Sequence, residues 1–200
     1  MSITTHSELK SRASEWLKRA DLSAYLDDLV MAGEKWIMRN VRATEMETAL
    51  NVTIASGVAT VPTGFLGAKV LYVDGSPAKL IRPMGLQQLF EKYPVRSSSG
   101  KPSFFAHSAG TLEFGPYPDS TYTVKGTYYK RQGPLSSAVY LLFLNNPDLY
   151  LFATLCEAEP FMKNDKRIPV WRDKRDAIAV DINTEAQGIA FSGGMTITPA

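Results

Sequence analysis

The side chains that could do chemistry in this 200-residue chain are few and scattered. His6 precedes the first helical stretch, and His107 stands near a turn in a strand-like run. With only two histidines and no Cys or His cluster nearby, the spacing of a zinc site is missing. Cys156 lies in LYLFATLCEA, whose apolar surround raises a thiol pKa and makes the residue an inert core cysteine rather than a nucleophile. Ser97, Ser98 and Ser99 lack the glycine-flanked pattern of a nucleophilic serine and read as loop. Glu157 and Glu159 are two positions apart, so on a helix they point to different faces and cannot act as a carboxylate pair. No glycine-rich phosphate loop is present. Lys163, Lys166, Arg167, Arg172, Lys174 and Arg175 form a basic stretch that Asp165, Asp173 and Asp176 interrupt. Its first reading is a solvated helix face; the second is a subunit salt-bridge belt or a weak DNA-facing ring. No catalytic, metal or cofactor site is expected, and the chain is not expected to be an enzyme.

Composition narrows the class further. A hydrophobic share of 44% with 21% charged residues is that of a globular protein. The net charge of +2, from 22 basic and 20 acidic residues, is far from the basic stripe of a dedicated nucleic-acid binder. One cysteine makes no internal disulfide, which fits folding in a reducing cytosol. The N-terminus, MSITTHSELKSR, lacks the apolar core of a signal peptide, and no run approaches the roughly 18 apolar residues of a membrane span.

The elements come as helices, then strands, then helices. Thr5 and Glu8 have capping-box spacing, followed by Leu9, Ala13, Trp16, Leu17 and Ala20 on one face. Asp21 reads as the next N-cap, before Leu22, Tyr25, Leu26, Leu29, Gly33, Trp36 and Ile37 at helical spacing. Gly33 on that apolar face lets another backbone come close. Past residue 48 the period turns alternating: NVTIASGVATVP reads as two short strands around Ser56-Gly57. KVLYVDGSPAKLI reads as a tight hairpin at Asp74-Gly75, GLQQLFEKYP as a short helix, and VRSSSGK as a flexible loop. PSFFAHSAGTLEFGPYP reads as strand, Ala109-Gly110 turn, strand, and STYTVKGTYYKR as a further strand.

In NNPDLYLFATLCEAEPF, Asn146 is an N-cap and Pro147 takes the first helical position. The helix from Leu149 to Phe161 is apolar nearly all round, which suits the centre of a bundle or a subunit interface. A last helix, from about Asp165 to Phe191, carries Ile168, Trp171, Ile178, Ile182, Ala186 and Ile189 on one face. Ser192, Gly193 and Gly194 then stop it, and Met195, Ile197 and Pro199 alternate with Thr196 and Thr198. Such a segment is a strand in need of an edge, its own or another protein's.

The fold class expected is α+β: a helical bundle domain, made of an N-terminal helix pair and two C-terminal helices, with an inserted small antiparallel β module and an extended C-terminal tail. The domains expected are 1–48 with 132–191 (helical), 49–131 (β module) and 192–200 (docking tail).

Several pieces, in order, resemble the head-to-tail adaptor (connector) proteins of short-tailed bacteriophages. They are RNVRATEMETA, VPTGFLGAKVLYVDG, GKPSFFAHSAGTLEFGPYP, TYTVKGTYYKRQGPLS, and NNPDLYLFATLCEAEPFMKNDKRIPVWRDKRDAIAVDIN with FSGGMTITP. The resemblance implies a structural virion protein of the neck and tail region, made in the bacterial host cytoplasm. Copies of it would form a ring beneath the portal, expected to be a dodecamer. That ring would extend the channel through which double-stranded DNA passes and give the tail nozzle and fibres their platform. It implies no cofactor and no membrane partner. It assigns portal docking to Ser192, Gly193, Gly194, Met195, Thr196, Ile197, Thr198 and Pro199, and the subunit interface to Trp36, Trp171, Arg172 and Arg175; the tryptophans are exposed if they serve it, and the other reading is that both are simply core. The competing readings are a tail-tube or neck-completion protein and a small nucleic-acid-binding module.

Overall fold

Thr5 opens the first helix as its spacing with Glu8 predicts. In the computed structural model, which describes residues 3–95, 99–162 and 165–191, the Thr5 hydroxyl accepts the Glu8 N–H and the Glu8 carboxylate accepts the Thr5 N–H. Helix α1 (His6–Leu17) buries Leu9, Ala13 and Leu17, while Trp16 turns partly outward against Phe152. The second helix starts later than Asp21 suggests. Ala20–Tyr25 is a 3₁₀ turn in which Asp21 binds Arg19, and α2 runs over Leu26–Asn40.

Contacts divide the chain into two compact units, Met1–Met46 with Gln132–Ala200, and Glu47–Arg131. In the first, a short α4 (Leu141–Asn145) leads into α5 (Pro147–Cys156), with proline in the first turn where its missing N–H costs nothing. Helix α5 packs against α1, α2, α4 and the long α6 (Arg167–Phe191). Leu149, Tyr150, Leu151, Ala153, Thr154, Leu155 and Cys156 are all buried, so its apolar surface is used inside its own unit. Each fully buried leucine there contributes roughly 2 kcal/mol. The helix ends at Cys156, and Glu159–Phe161 is a 3₁₀ turn containing Pro160. Gly33 does what its position predicts: a Cβ there would lie 2.9 Å from Thr154 N and 3.0 Å from Ala153 C, so α2 and α5 touch backbone to backbone.

The second unit corrects the expected fold class. Among the described residues it holds seven strands, not a small antiparallel module: β1 (Glu47–Ile54), β2 (Val58–Thr60), β3 (Phe65–Val73), β4 (Lys79–Pro83), β5 (Phe104–Ser108), β6 (Thr111–Gly115) and β7 (Tyr122–Lys130). It also carries a helix, α3 (Leu86–Lys92). The sheet order is β1-β7-β3-β4-β5-β6-β2, and the sheet is mixed, because β4 and β5 pair in parallel through Arg82–Phe104 and Pro83–Phe105. Its first and last strands, β1 and β2, are consecutive in the chain and in contact, so the sheet curls into a nearly closed barrel. With six α-helices in the chain as well, counted among the described residues, the protein is not a helical bundle carrying a minor β insert.

The error has a physical source. Alternation reveals strands but not their partners, and here β1 and β2 meet at Gly57 without pairing: β1 pairs with β7 and β2 with β6. The β3–β4 connection spans residues 74–78 rather than two residues, with Val73 opposite Lys79. The Ala109-Gly110 turn is as read: both residues have positive φ, 45° and 79°, and Ser108 pairs with Thr111 as a two-residue hairpin requires. The barrel core is Leu50, Ile54, Leu71, Val73, Ile81, Phe105, Leu112, Phe114, Val124 and Tyr128.

Candidate functional site

Helix α6 carries three of the four residues assigned to an interface, and its start is fixed electrostatically. The Asp165 carboxylate accepts the Arg167 N–H at 2.9 Å and pairs with its guanidinium at 2.6 Å. That hydrogen bonding holds the Asp165 carboxyl below its ordinary range. Arg167 also donates to the Trp16 carbonyl and lies 5.1 Å from the Trp171 ring centre, tying the first turn of α6 to α1. Pro169 falls in this first turn, where its missing N–H has no intrahelical partner to lose.

The four residues differ in what they can offer a partner. Trp171 is 5% exposed, so of the two readings left open for it the core one holds: its ring is buried within its own unit. Arg175 is 8% exposed, with its guanidinium carbon 3.9 Å from the centre of the Trp36 ring and one nitrogen 2.8 Å from Asp176. A buried guanidinium needs such compensation, here a ring face and a carboxylate together. Trp36 is half-buried beneath it. Arg172 is exposed and bound to Glu159 at 2.6 Å. The structure thus brings Trp36 and Arg175 into direct contact, sets Trp171 inside, and leaves Arg172 outside. Residues 192–200, to which portal docking is assigned, lie outside the described residues.

Sequence reading missed the groups that lock α6 to α2. Asn183 accepts the Arg42 N–H at 2.8 Å and donates to the Asn40 carbonyl at 2.9 Å. Its signal was a lone amide one turn beyond the buried Ala179, between the buried Ile182 and Ala186. Glu34 was missed too. It accepts the Leu135 N–H at 2.8 Å, and burial pushes its carboxyl above the ordinary value.

The groups weighed for chemistry stay apart. Burial raises the Cys156 thiol to about 11 and keeps it protonated and unreactive at neutral pH. His6 lies 3.6 Å from Asp27, which Lys10 holds at 2.8 Å, while His107 lies tilted against Phe65 at 5.2 Å in the other unit. Among the described residues no group of three or more His, Cys, Asp or Glu could hold a metal, and no helix is long and apolar enough to cross a membrane.

The family model for the SU10 adaptor protein matches residues 4–196, nearly the whole chain. The chain belongs to the SU10 adaptor protein family. Membership bears out the resemblance to phage head-to-tail adaptors and makes the protein a phage adaptor, a structural protein. No match was found among curated proteins.

Proposed function

We propose that this SU10 adaptor protein is a virion neck component whose copies form a ring beneath the portal, a dodecamer in our reading. The ring extends the DNA channel and gives the tail nozzle and fibres their attachment platform. The observation that carries this reading is the family match over residues 4–196. Residues 1–48 and 132–191 build the ring wall, 49–131 form an inserted domain, and 192–200 dock on the portal. In the tail, Ser192, Gly193 and Gly194 are the hinge, and Met195 to Pro199 add as a strand to an edge of the portal. Of the residues assigned to the subunit interface, Arg172 is exposed at it, while half-buried Trp36 with the buried Trp171 and Arg175 holds α6 in position for it. A near-neutral net charge supports a channel role, because a duplex held by many phosphate contacts would stall rather than slide.

Deletion of residues 192–200 tests this. The truncated chain should keep the circular dichroism spectrum of the full chain and lose binding to the portal of the same phage. Unchanged portal binding overturns the docking assignment.

A further inference from the structure

Helices α2 and α6 each present a charged stripe on the side away from α5. On α2 the stripe reads acid, base, base: Asp28, Lys35 and Arg39, at intervals of seven and four residues. On α6 it reads base, acid, acid at the same two intervals: Lys174, Asp181 and Glu185. Steps of seven and four residues return to nearly the same side of a helix, so each trio forms one row of roughly 16 Å. All six are exposed, and among the described residues none of the six has an ion-pair or hydrogen-bond partner. Three positions into each row stands an apolar residue, Met31 at 43% exposure on α2 and the exposed Ala177 on α6. Val170 and Val180, 55% and 62% exposed, extend the apolar surface of α6.

Laid side by side in the same direction, the rows match with every sign opposed. Within one chain the two helices do run in the same sense, since Trp36 meets Arg175 and, further along both, Asn40 meets Asn183. Their inner sides are taken by those contacts, so the outer rows can meet only between copies. Neighbours in a head-to-tail ring differ by a modest rotation, which preserves the sense of the helices. A contact between two different faces is the kind that generates a ring.

We infer that α2 of one copy packs along α6 of the next, with Asp28 facing Lys174, Lys35 facing Asp181, and Arg39 facing Glu185. The inference rests on the ring reading above and names the surfaces that close it. Exposed ion pairs are individually weak, so their part is mainly to set register and exclude wrong pairings, while Met31 and the α6 valines supply apolar burial.

Charge reversal of the full chain tests the contact, with assembly followed by sedimentation velocity, alone and on portal rings of the same phage. Lys35→Glu with Arg39→Glu, or Asp181→Lys with Glu185→Lys, should each weaken assembly about tenfold or more through like-charge opposition. Combining all four in one chain should restore assembly to within about threefold of the unaltered protein, by the same complementarity. A cysteine pair, Lys35→Cys with Asp181→Cys, gives a readout independent of charge: oxidation should produce covalent multimers. Unaltered rings with either reversal, no rescue by the combination, or only monomers on oxidation overturns the contact and leaves the ring reading standing. If the unaltered protein stays monomeric both alone and on the portal, the ring reading fails and the contact with it.

Discussion

The two units of this adaptor are organised around different kinds of centre. In the helical unit the centre is one short helix, α5, against which the other large helices pack. In the β unit it is a strand, β7, which pairs with β1 on one side and β3 on the other although β1 lies about 75 residues earlier, as far as Glu47 stands from Tyr122. Each centre depends on a glycine that admits a neighbouring backbone: Gly33 faces α5, and Gly126 within β7 faces Val70 and Leu71 of β3. A central helix announces itself, because a ten-residue run with no polar side can go only inside. A central strand does not, because its place is set by partners that no local pattern names.

Of the two centres, that of the sheet tolerates the least change. Gly126 pairs with Leu50 and Leu71, and an added Cβ would collide with the Val70 carbonyl oxygen, a backbone atom that cannot swing aside. Gly126→Ala should therefore destabilise by about 3 kcal/mol, the upper end of overpacking costs. Urea denaturation followed by tryptophan-independent circular dichroism measures it. A loss below about 0.5 kcal/mol, the range of neutral surface changes, would mean that β7 is not the rigid centre described.

Gly33→Ala makes the matching break in the helical unit. Its contacts with Thr154 N and Ala153 C, at 2.9 and 3.0 Å, are tight but leave room for a small shift of α2. Alanine's better helix propensity offsets part of the strain, so about 1–2 kcal/mol is expected by the same denaturation. A stabilised variant would show that the two helices do not touch there.

Glu34 holds the backbone at residue 135. Glu34→Ala leaves the Leu135 N–H without its partner and should cost about 1–2 kcal/mol. Glu34→Gln keeps an acceptor and should be nearly neutral at pH 7. Burial raises this carboxyl above 4.5, so the folded state holds its proton more tightly than the unfolded chain. Its contribution to stability is therefore greatest in acid and falls as pH rises through the raised value. Comparing stability against pH for the native chain and Glu34→Gln should show that component vanish in the variant; identical profiles would contradict it.

The smallest expected effect is at the N-terminus, where Thr5→Ala removes the cap of α1 for about 1 kcal/mol. Thermal denaturation resolves this, and no shift would mean that the first turn of α1 frays in the native chain.

How much was legible follows from the same contrast. Thr5 with Glu8, Pro147 in the first turn of α5, Gly33 and the Ala109-Gly110 hairpin are all local signals, and each was met as read. The β1–β7 pairing, the parallel β4–β5 step and the near-closure between β1 and β2 are set by distant partners, so an alternating pattern looked like a smaller antiparallel module. At the candidate interface, helical spacing put Trp171 on the right face of α6 but could not say that the same unit covers it. Asn183 escaped notice because one amide on a helix says nothing until the chain end it binds is in view.

In the function proposed above, this protein is one segment of a ring that joins portal to tail. Electron microscopy of the full chain mixed with portal rings of the same phage puts that to the most direct test. A second ring stacked coaxially on the portal, with α2 of each subunit beside α6 of the next, is the predicted image. Bare portal rings beside free monomers at saturating adaptor would contradict it.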